Sequence, residues 1–311
     1  MYHYVRKRRV GLPFFTFLDQ DDFVKQLRHV EKQVGFVSGL HFAEFLSHPS
    51  ETSMPKGAIL TFDDGFLDHY EVVAPILEDM GTWGIFFIPT RIIRQTELLD
   101  VHRVHILLGA LGGEKCLDLL REVTDNTPLQ FEDNEAFRTE TYTDQNDSGD
   151  FALQFKRALN YFAGEGEQSI LLDQITDIGM GSEERVSLEG RFYMTSSMIR
   201  ELHNAGNMVG SHSVNHHVMS KLPEELQRVE VRQSLDDLER LLGGRPRVFC
   251  YPYGGFHSFT PATETILSDE GVTAAFNVEN REITRRDFLN RPQALPRFDC
   301  AQLPYGGATI A

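Results

Sequence analysis

The stretch Gly57-Ala-Ile-Leu-Thr-Phe-Asp-Asp-Gly65 joins a β-prone apolar run to a polar turn. We expect a buried strand over residues 57–62 that ends in a loop at the two aspartates. The residues that follow predict an amphipathic helix over 72–80, stopped by Gly81, and a second buried strand over 84–89. Strand, loop, helix and strand in this order form the βαβ unit of a parallel sheet, so the stretch predicts an α/β fold.

The same alternation of strands and helices returns after residue 190. Strands are predicted over 208–210, 247–253 and 273–276, and helices over 196–203, 222–242 and 262–269. Residues 91–190 interrupt the alternation with helical patterns over 106–123, 151–162 and 168–178 and an acidic, polar segment over 124–150. We therefore expect one domain over 1–311 with a mostly helical insertion at 91–190. The alternative, an independent domain at 91–190, would need a larger apolar content.

Composition limits the classes of function. The chain has 311 residues, of which 41% are hydrophobic and 24% charged, as is typical of a soluble globular protein. A formal net charge of −16 argues against binding to nucleic acid or to an anionic membrane surface. No apolar run approaches the roughly 18 residues that a membrane span requires.

The cysteines and the first residues of the chain bear on its location. Cys116, Cys250 and Cys300 are too few and too scattered for a disulfide framework, which fits a reducing compartment. The basic opening is followed by an apolar stretch over 10–18 that is too short and interrupted for a secretory signal. These observations predict a cytoplasmic protein.

Asp63 and Asp64 stand side by side where the first predicted strand ends. Two adjacent carboxylates repel each other if both ionise in a partly buried place. A metal ion would relieve the repulsion by binding one of them and would leave the other free as a base. The alternative is a polar turn of the Asp-Asp-Gly type without further function.

His212 and His216 follow the strand predicted over 208–210, with His217 beside them. Histidines four apart lie on one face if the segment is helical, close enough to share a metal ion. Taken alone, such a pair often lies on the protein surface and binds no metal. Together with one carboxylate, however, the pair gives two histidines and one aspartate, a set that suits a catalytic divalent ion with open coordination positions.

A third candidate segment lies at the end of another predicted strand and has the sequence Phe249-Cys-Tyr-Pro-Tyr-Gly-Gly255. Proline fixes one backbone dihedral, and the two glycines allow the backbone to approach a ligand closely. A backbone N–H here could face a developing oxyanion. The alternative is a strand that simply ends in a turn.

In this order, Thr61-Phe-Asp-Asp-Gly65, His212-Ser-x-x-His216 and Tyr251-Pro-Tyr-Gly254 resemble the polysaccharide deacetylase (NodB homology) family, carbohydrate esterase family 4. The resemblance covers residues 55–90 and 190–300, and it implies a distorted (β/α) barrel of about seven parallel strands. It also implies one divalent metal ion, zinc first, with cobalt, nickel, manganese or iron as alternatives. The stretch at 91–190 is not explained by the resemblance.

The resemblance assigns roles to individual residues of this chain. Asp64, His212 and His216 would hold the metal, and Asp63 would be the general base that activates the attacking water. The backbone N–H of Tyr253 would help to stabilise the oxyanion. The reaction implied is hydrolysis of an N-acyl group, chiefly N-acetyl on an amino sugar, to give a free amine and acetate.

Two departures from the family pattern matter. Cys250 stands where the family usually carries an arginine that orients the base, and Arg297 could supply that guanidinium from a neighbouring strand end. The alternative is that Arg297 pairs with Asp299 or another carboxylate on the rim. The family's late Leu-x-His, whose histidine is the general acid, is absent. The leaving amine would then be protonated by another group, by water, or by Asp63 after it has taken up a proton. We expect His3 as the substitute, with an ordinary core or surface histidine as the alternative.

Two further histidines, His102 and His105, are three apart at the start of the insertion. They could line the pocket, but ordinary helix histidines are the preferred interpretation over a second metal site. From its position between two metal motifs, we expect the insertion to cap the metal-bearing end and to set specificity.

The sequence thus predicts a cytoplasmic, metal-dependent deacetylase of a small-molecule, nucleotide-linked or lipid-linked amino sugar. One rival is a deformylase or another amide hydrolase with the same metal centre and a non-sugar substrate. The other is a catalytically impaired homologue that keeps the metal. A serine hydrolase is excluded because the chain has no Gly-x-Ser-x-Gly elbow.

Overall fold

The computed structural model describes residues 1–7, 12–95, 97–124, 150–164, 166–180 and 192–310. The chain divides into two compact units. The first comprises Met1–Lys7, Phe17–Gln95 and Phe192–Thr309, and the second comprises Arg8–Thr16, Thr96–Arg191 and Ile310–Ala311. None of the helices described has the length and apolar character that crossing a membrane requires.

The described strands determine the fold class. In chain order they are β1 (Val5–Arg6), β2 (Thr16–Asp19), β3 (Leu60–Asp63), β4 (Gly84–Ile88), β5 (Met208–Ser211), β6 (Val248–Cys250), β7 (Ala274–Phe276) and β8 (Thr309–Ile310). Strands β3 to β7 form one parallel sheet in the order β3-β4-β5-β6-β7. A small second sheet has the order β1-β2-β8. The predicted α/β class is therefore confirmed.

Helices connect these strands and build the second unit. In chain order they are α1 (Gln20–Val34), α2 (Gly39–Ser47), α3 (Ala74–Asp79), α4 (Arg91–Arg94), α5 (Asp100–Leu111), α6 (Gly113–Val123), α7 (Phe151–Arg157), α8 (Glu167–Gly179), α9 (Ser196–Asn204), α10 (Glu224–Leu242), α11 (Pro261–Asp269) and α12 (Arg285–Asn290). The helices predicted after residue 190 correspond to α9, α10 and α11.

Two predicted helices differ from those observed. The helix predicted over 72–80 begins earlier, as a π-helical turn at His69–Val73 that continues into α3. The helix predicted over 106–123 is two helices, α5 and α6. Gly112 lies between them with a φ of 77°. An α-helix cannot accommodate this value, so one helix ends before Gly112 and the next begins after it.

Single parallel bridges extend the five-stranded sheet at both edges. Tyr2 pairs with Phe62 of β3, and Leu295 pairs with Phe276 of β7. Beyond them, the Cys300 N–H donates to the Met1 carbonyl over 3.2 Å. The residues that follow Tyr2 and Leu295 therefore lie beside the carboxyl ends of the outer strands. The described strands form a five-stranded parallel sheet, and the barrel of about seven strands stays a prediction.

Each face of this sheet packs against its own apolar core. Val248 and Cys250 of β6 belong to a cluster with Phe45 of α2. Phe249, between them, belongs to the opposite cluster with Leu235 of α10. Burial of both faces is typical of parallel strands. Asp63 and Ser211, the last residues of β3 and β5, bring polar side chains to the carboxyl end of the sheet.

The second unit has an apolar core made by its own helices. Leu107 of α5, Leu120 of α6, Phe155 of α7 and Leu172 of α8 are all buried in this cluster. The pattern predicted over 151–162 corresponds to α7 followed by a π-helical turn at Ala158–Phe162, and the pattern predicted over 168–178 corresponds to α8. Residues 125–149 of the predicted acidic segment lie outside the described residues, and the insertion at 91–190 within a single domain stays a prediction.

Candidate active site and metal centre

Asp64, His212 and His216 converge on one point. The Asp64 Oδ1 atom lies 3.4 Å from His212 Nε2 and 3.2 Å from His216 Nε2. One potential ligand atom from each residue lies within 4.8 Å of the other two, and all three residues are buried. Two imidazoles and one carboxylate facing one another at this spacing are a suitable donor set for a divalent cation such as zinc.

The topology of the sheet explains this convergence. Strands β3 and β5 both pair with β4, so their carboxyl ends lie on either side of the same neighbour. Asp64 follows β3 directly, and His212 follows β5 directly. The His212 N–H also donates to the Ile88 carbonyl at the end of β4 over 3.1 Å. Residues 148 positions apart in the chain are thus brought together by strand order alone.

The segment between the two histidines is a loop, so the helical segment that would place them on one face is not what brings them together. Ser213 and His216 both have a φ of 61°, which turns the chain back on itself. The Ser213 hydroxyl accepts the His216 N–H over 3.1 Å. The imidazole centroids of His212 and His216 are consequently 4.8 Å apart without a helix.

A hydrogen bond fixes the tautomer of His212. Its Nδ1 lies 2.7 Å from the Cys250 carbonyl, which can only accept, so Nδ1 carries the proton. In the neutral form of His212, the Nε2 atom therefore presents its lone pair towards Asp64. A backbone carbonyl behind the distal ring nitrogen is the usual support for a metal-binding histidine.

Asp63 has a counter-charge provided by the protein. Arg297 donates from Nη1 to Asp63 Oδ1 and from Nη2 to Oδ2, both over 2.8 Å. Burial by itself would raise the pKa of Asp63, but the Arg297 charge and its hydrogen bonds outweigh burial and hold the pKa well below its ordinary value. Asp63 is consequently ionised, and its two oxygens are fixed in one orientation.

Further contacts hold the Arg297 guanidinium in place. Nε donates to the Asn277 carbonyl and Nη1 to Thr61 Oγ1, each over 3.0 Å. Nη2 lies 3.0 Å from Cys250 Sγ, so the guanidinium occupies the space beside Cys250. Burial raises the pKa of the Cys250 thiol, which stays protonated. Of the two alternatives for Arg297, the structure places it on Asp63 rather than on Asp299.

A second group of potential ligands, Asp63, His212 and Cys250, also lies within 4.8 Å. Arg297 donates to two members of this group, Asp63 and Cys250. A cation there would face a buried guanidinium at close range, which repels it. The donor set of Asp64, His212 and His216 is therefore the better candidate for a metal.

His3 lies at the rim of this centre. Its Nε2 is 4.0 Å from Asp64 Oδ2, and its side chain is 41% exposed. The backbone of His3 is held by His69, whose Nε2 lies 2.7 Å from the His3 carbonyl. Burial lowers the pKa of His69 to about 4, so this ring is neutral and donates its Nε2 proton. The backbone of His3 is thus held in place, while its ring stays partly accessible to solvent.

Tyr253 also lies beside the donor set. Its ring centroid is 5.0 Å from that of His216, and its φ is 64°. Of the five non-glycine residues with positive φ in the described part of the chain, four are at this site: Asp64, Ser213, His216 and Tyr253. Strained backbone of this kind persists where the surrounding structure enforces it, and it is concentrated at functional sites.

His102 and His105 are both on α5 of the second unit. Their ring centroids are 5.9 Å apart, and His102 is fully buried. Neither belongs to a cluster of three or more potential ligands among the residues that the structure describes. They fit the preferred interpretation of ordinary helix histidines.

Three supporting residues were not identified from the sequence: Thr61, His69 and Glu230. Thr61 is two positions before Asp63 on one strand, so strand periodicity could have placed both side chains on one face. His69 had no signal beyond its distance of five residues from Asp64. Glu230 lies on α10, where its acidic side chain gave no sign that it is buried.

Comparisons with known proteins agree with this geometry. Residues 187–275 match a family model described as polysaccharide deacetylase. The match includes the motifs at 212–216 and 251–254 and confirms the resemblance to this family there. No curated protein sequence matches the chain significantly.

Solved structures resemble the chain over almost its whole length. A deacetylase from Streptococcus pyogenes, PplD, in complex with acetate has 15% identity and a TM-score of 0.56, covering 96% of this chain and 88% of that one. IcaB from Ammonifex degensii has 19% identity and a TM-score of 0.51, with coverage of 96% and 88%. A de-N-acetylase from Aggregatibacter actinomycetemcomitans has 15% identity and a TM-score of 0.51, with coverage of 96% and 92%. At these identities the likeness concerns the fold.

Proposed function

We propose that the protein is a metal-dependent hydrolase that removes an N-acyl group, in the first place N-acetyl, from an amino sugar or glycan precursor. The observation that carries the proposal is the pair of adjacent carboxylates in different environments. Asp64 faces two imidazoles, and Asp63 is bound to Arg297. One carboxylate is thus available to a metal while its neighbour is available as a base.

Asp64, His212 and His216 would hold the cation. Their donor atoms suit zinc, and the side chains of the two histidines are buried. A divalent ion bound there supplies Lewis-acid polarisation of the acyl carbonyl and lowers the pKa of the attacking water. Three protein ligands leave coordination positions open for substrate and water.

Asp63 would accept the proton of the attacking water. Its ionised state at neutral pH follows from the Arg297 contact, and the same contact fixes its orientation. The rival interpretation of a catalytically impaired homologue rested partly on the arginine missing at Cys250. Because Arg297 supplies a guanidinium at that place, the rival loses this support.

His3 would protonate the leaving amine, and the backbone N–H of Tyr253 would stabilise the oxyanion. The position of the His3 ring, 4.0 Å from Asp64 and partly open to solvent, supports the first role. The packing of the Tyr253 ring on His216, with ring centroids 5.0 Å apart, supports the second role. An acid on one side and a base on the other side of the scissile bond are what amide hydrolysis requires.

The choice of an acetyl group and a sugar comes from the resemblance. One structurally similar protein was solved with acetate, and another is named a de-N-acetylase. A nucleotide-linked or lipid-linked amino sugar is preferred because we expect a cytoplasmic location. We also propose that the insertion at 91–190 sets specificity.

The decisive experiment measures hydrolysis by the purified chain with zinc, cobalt, nickel, manganese or iron. The substrates are N-acetylated oligosaccharides, a nucleotide-linked N-acetyl sugar, N-formyl analogues and non-sugar amides. We expect metal-dependent release of acetate from one of the sugars. Turnover of N-formyl or non-sugar amides alone would favour the rival hydrolase, and no turnover with any metal would refute the proposed activity.

A further inference from the structure

Helix α10 provides a buried carboxylate to the loop between the two candidate histidine ligands. The N–H groups of Val214 and Asn215 both donate to Glu230 Oε2 over 2.9 Å. The Asn215 side-chain amide donates to the other oxygen, Oε1, over 2.5 Å. Glu230 is only 6% exposed, so these three bonds satisfy a charge that water does not reach.

Two more polar side chains on the same face of α10 reach the same region. Glu230, Ser234 and Asp237 are spaced i, i+4 and i+7, which aligns them on one side of the helix. The Ser234 hydroxyl lies 2.6 Å from that of Ser211, the last residue of β5. We call the three α10 residues the polar stripe.

The third member of the polar stripe acts through Thr90. The Thr90 hydroxyl donates to Asp237 Oδ2 over 3.1 Å, and the Thr90 N–H donates to the Ser213 carbonyl over 3.0 Å. The polar stripe thus contacts the segment 211–215 at three points. Ser234 contacts Ser211 directly, and Glu230 contacts Asn215 directly. Asp237 reaches Ser213 through Thr90. A helix that packs only through apolar residues would not need buried acids at these positions.

We propose that Glu230 is a positioning residue that sets the affinity of the Asp64, His212 and His216 centre for its cation. The inference rests on the proposed metal centre. Ser213 and His216 adopt left-handed backbone conformations that cost energy. The two N–H bonds to Glu230 lock the turn that contains them. Without these bonds the loop populates other conformations. The apparent affinity for the cation then falls in proportion to the fraction of molecules that still hold the binding conformation.

Two variants separate the hydrogen bonds from the charge. Glu230→Gln keeps an oxygen that accepts the Val214 and Asn215 N–H groups but removes the charge that strengthens these bonds. Glu230→Ala removes the acceptor altogether and leaves two buried N–H groups unsatisfied. Glu225→Gln is the matched control, because Glu225 is exposed on the same helix.

The experiment is titration of the metal-free full chain with zinc in competition with a chromogenic chelator, together with the melting temperature of each metal-free variant. Glu230 bonds the turn between two proposed ligands rather than a ligand itself. We take as the scale of the effect the roughly 10–100-fold weakening of metal binding that is typical when an outer partner of a metal ligand is lost. We expect the zinc dissociation constant to rise about 10-fold for Glu230→Gln and towards 100-fold for Glu230→Ala, with Glu225→Gln unchanged.

The outcomes separate this inference from the proposed function. If the wild-type chain binds zinc and Glu230→Gln binds it equally tightly, Glu230 does not set affinity, whatever happens to the melting temperature. A variant that melts earlier with an unchanged dissociation constant shows a structural role only and overturns the inference. If Glu230→Ala does not fold, Glu230→Gln decides the matter. If the wild-type chain itself does not bind zinc, the metal centre of the proposed function fails first.

Discussion

Asp63 and Asp64 are neighbours in sequence, yet their environments differ in the origin of the compensating charge. Asp63 is bound by the guanidinium of Arg297, a cation that the chain carries itself. Asp64 faces the Nε2 atoms of two histidines, and in the proposed function its cation comes from solution. One carboxylate is therefore locked into a permanent ion pair while the other is left for an exchangeable partner. The difference shows how adjacent, chemically identical groups can take separate roles.

The largest effect is expected from removing the locked carboxylate. Asp63→Asn keeps the shape of the side chain but cannot accept a proton, so we expect kcat to fall about 10²–10⁴-fold. Zinc content should stay at the wild-type level, because Asp64, His212 and His216 are untouched. Steady-state kinetics and metal analysis measure both quantities. Asp79→Asn, at an exposed position on α3, is the control and should change neither. Loss of zinc together with activity would show that the two carboxylates do not have separate roles.

Removing the Arg297 guanidinium tests the same difference between Asp63 and Asp64. Arg297→Met leaves the Asp63 carboxylate buried without its partner, which typically costs about 3–5 kcal/mol of unfolding free energy. Combining Arg297→Met with Asp63→Asn should recover part of this loss, because the unpaired charge is gone. Urea denaturation of the wild type, the two single variants and the double variant measures the coupling. Additive losses would contradict an ion pair between these two residues.

The exchangeable cation should contribute stability only through Asp64 and its partners. At zinc concentrations about 1,000-fold above the dissociation constant, bound metal stabilises the folded chain by about 4 kcal/mol. A chelator should therefore lower the melting temperature of the wild type and leave that of Asp64→Asn unchanged. Differential scanning fluorimetry measures both. If the chelator lowered the melting temperatures of the wild type and Asp64→Asn equally, the metal would bind elsewhere.

The smallest effect concerns His69, which holds His3 beside Asp64. Burial lowers the pKa of His69 to about 4 from an unfolded value of 6.5, so the unfolded state binds more protons between these values. Its contribution to stability is complete above pH 6.5 and is lost as the pH falls towards 4, by at most about 3 kcal/mol. His69→Gln keeps a donor for the His3 carbonyl but does not titrate, so its stability should fall less over this range. Urea denaturation at pH 7, 5.5 and 4.5 compares the two, and parallel curves would contradict the assignment.

Much of the site could be predicted from sequence because its ligands come from short motifs. Asp63 and Asp64, and likewise His212 and His216, are close in the chain, and the βαβ pattern indicated that both motifs end parallel strands. Sequence left two alternatives for Arg297, since a residue 234 positions from Asp63 can be placed only by knowing which strands form the sheet edges.

The remainder depended on tertiary packing that no local pattern records. Glu230 looks like any acidic residue on an amphipathic helix until the helix is placed against the loop at 213–216. An i, i+4 spacing brings the two histidines together only if the segment is helical, and it does not reveal that Ser213 and His216 adopt left-handed conformations. Gly112 likewise breaks a helix whose apolar pattern runs on without interruption.

The contact between Arg297 and Asp63 also has a consequence for the order of events during synthesis. The chain emerges from the ribosome with Asp63 and Asp64 already present, while the guanidinium that neutralises Asp63 is made 234 residues later. Contacts so distant in sequence form late in folding, because the long intervening chain must first be ordered. The contact between Asp63 and Arg297 therefore acquires its final geometry only after Arg297 has been translated and the chain between them has been ordered.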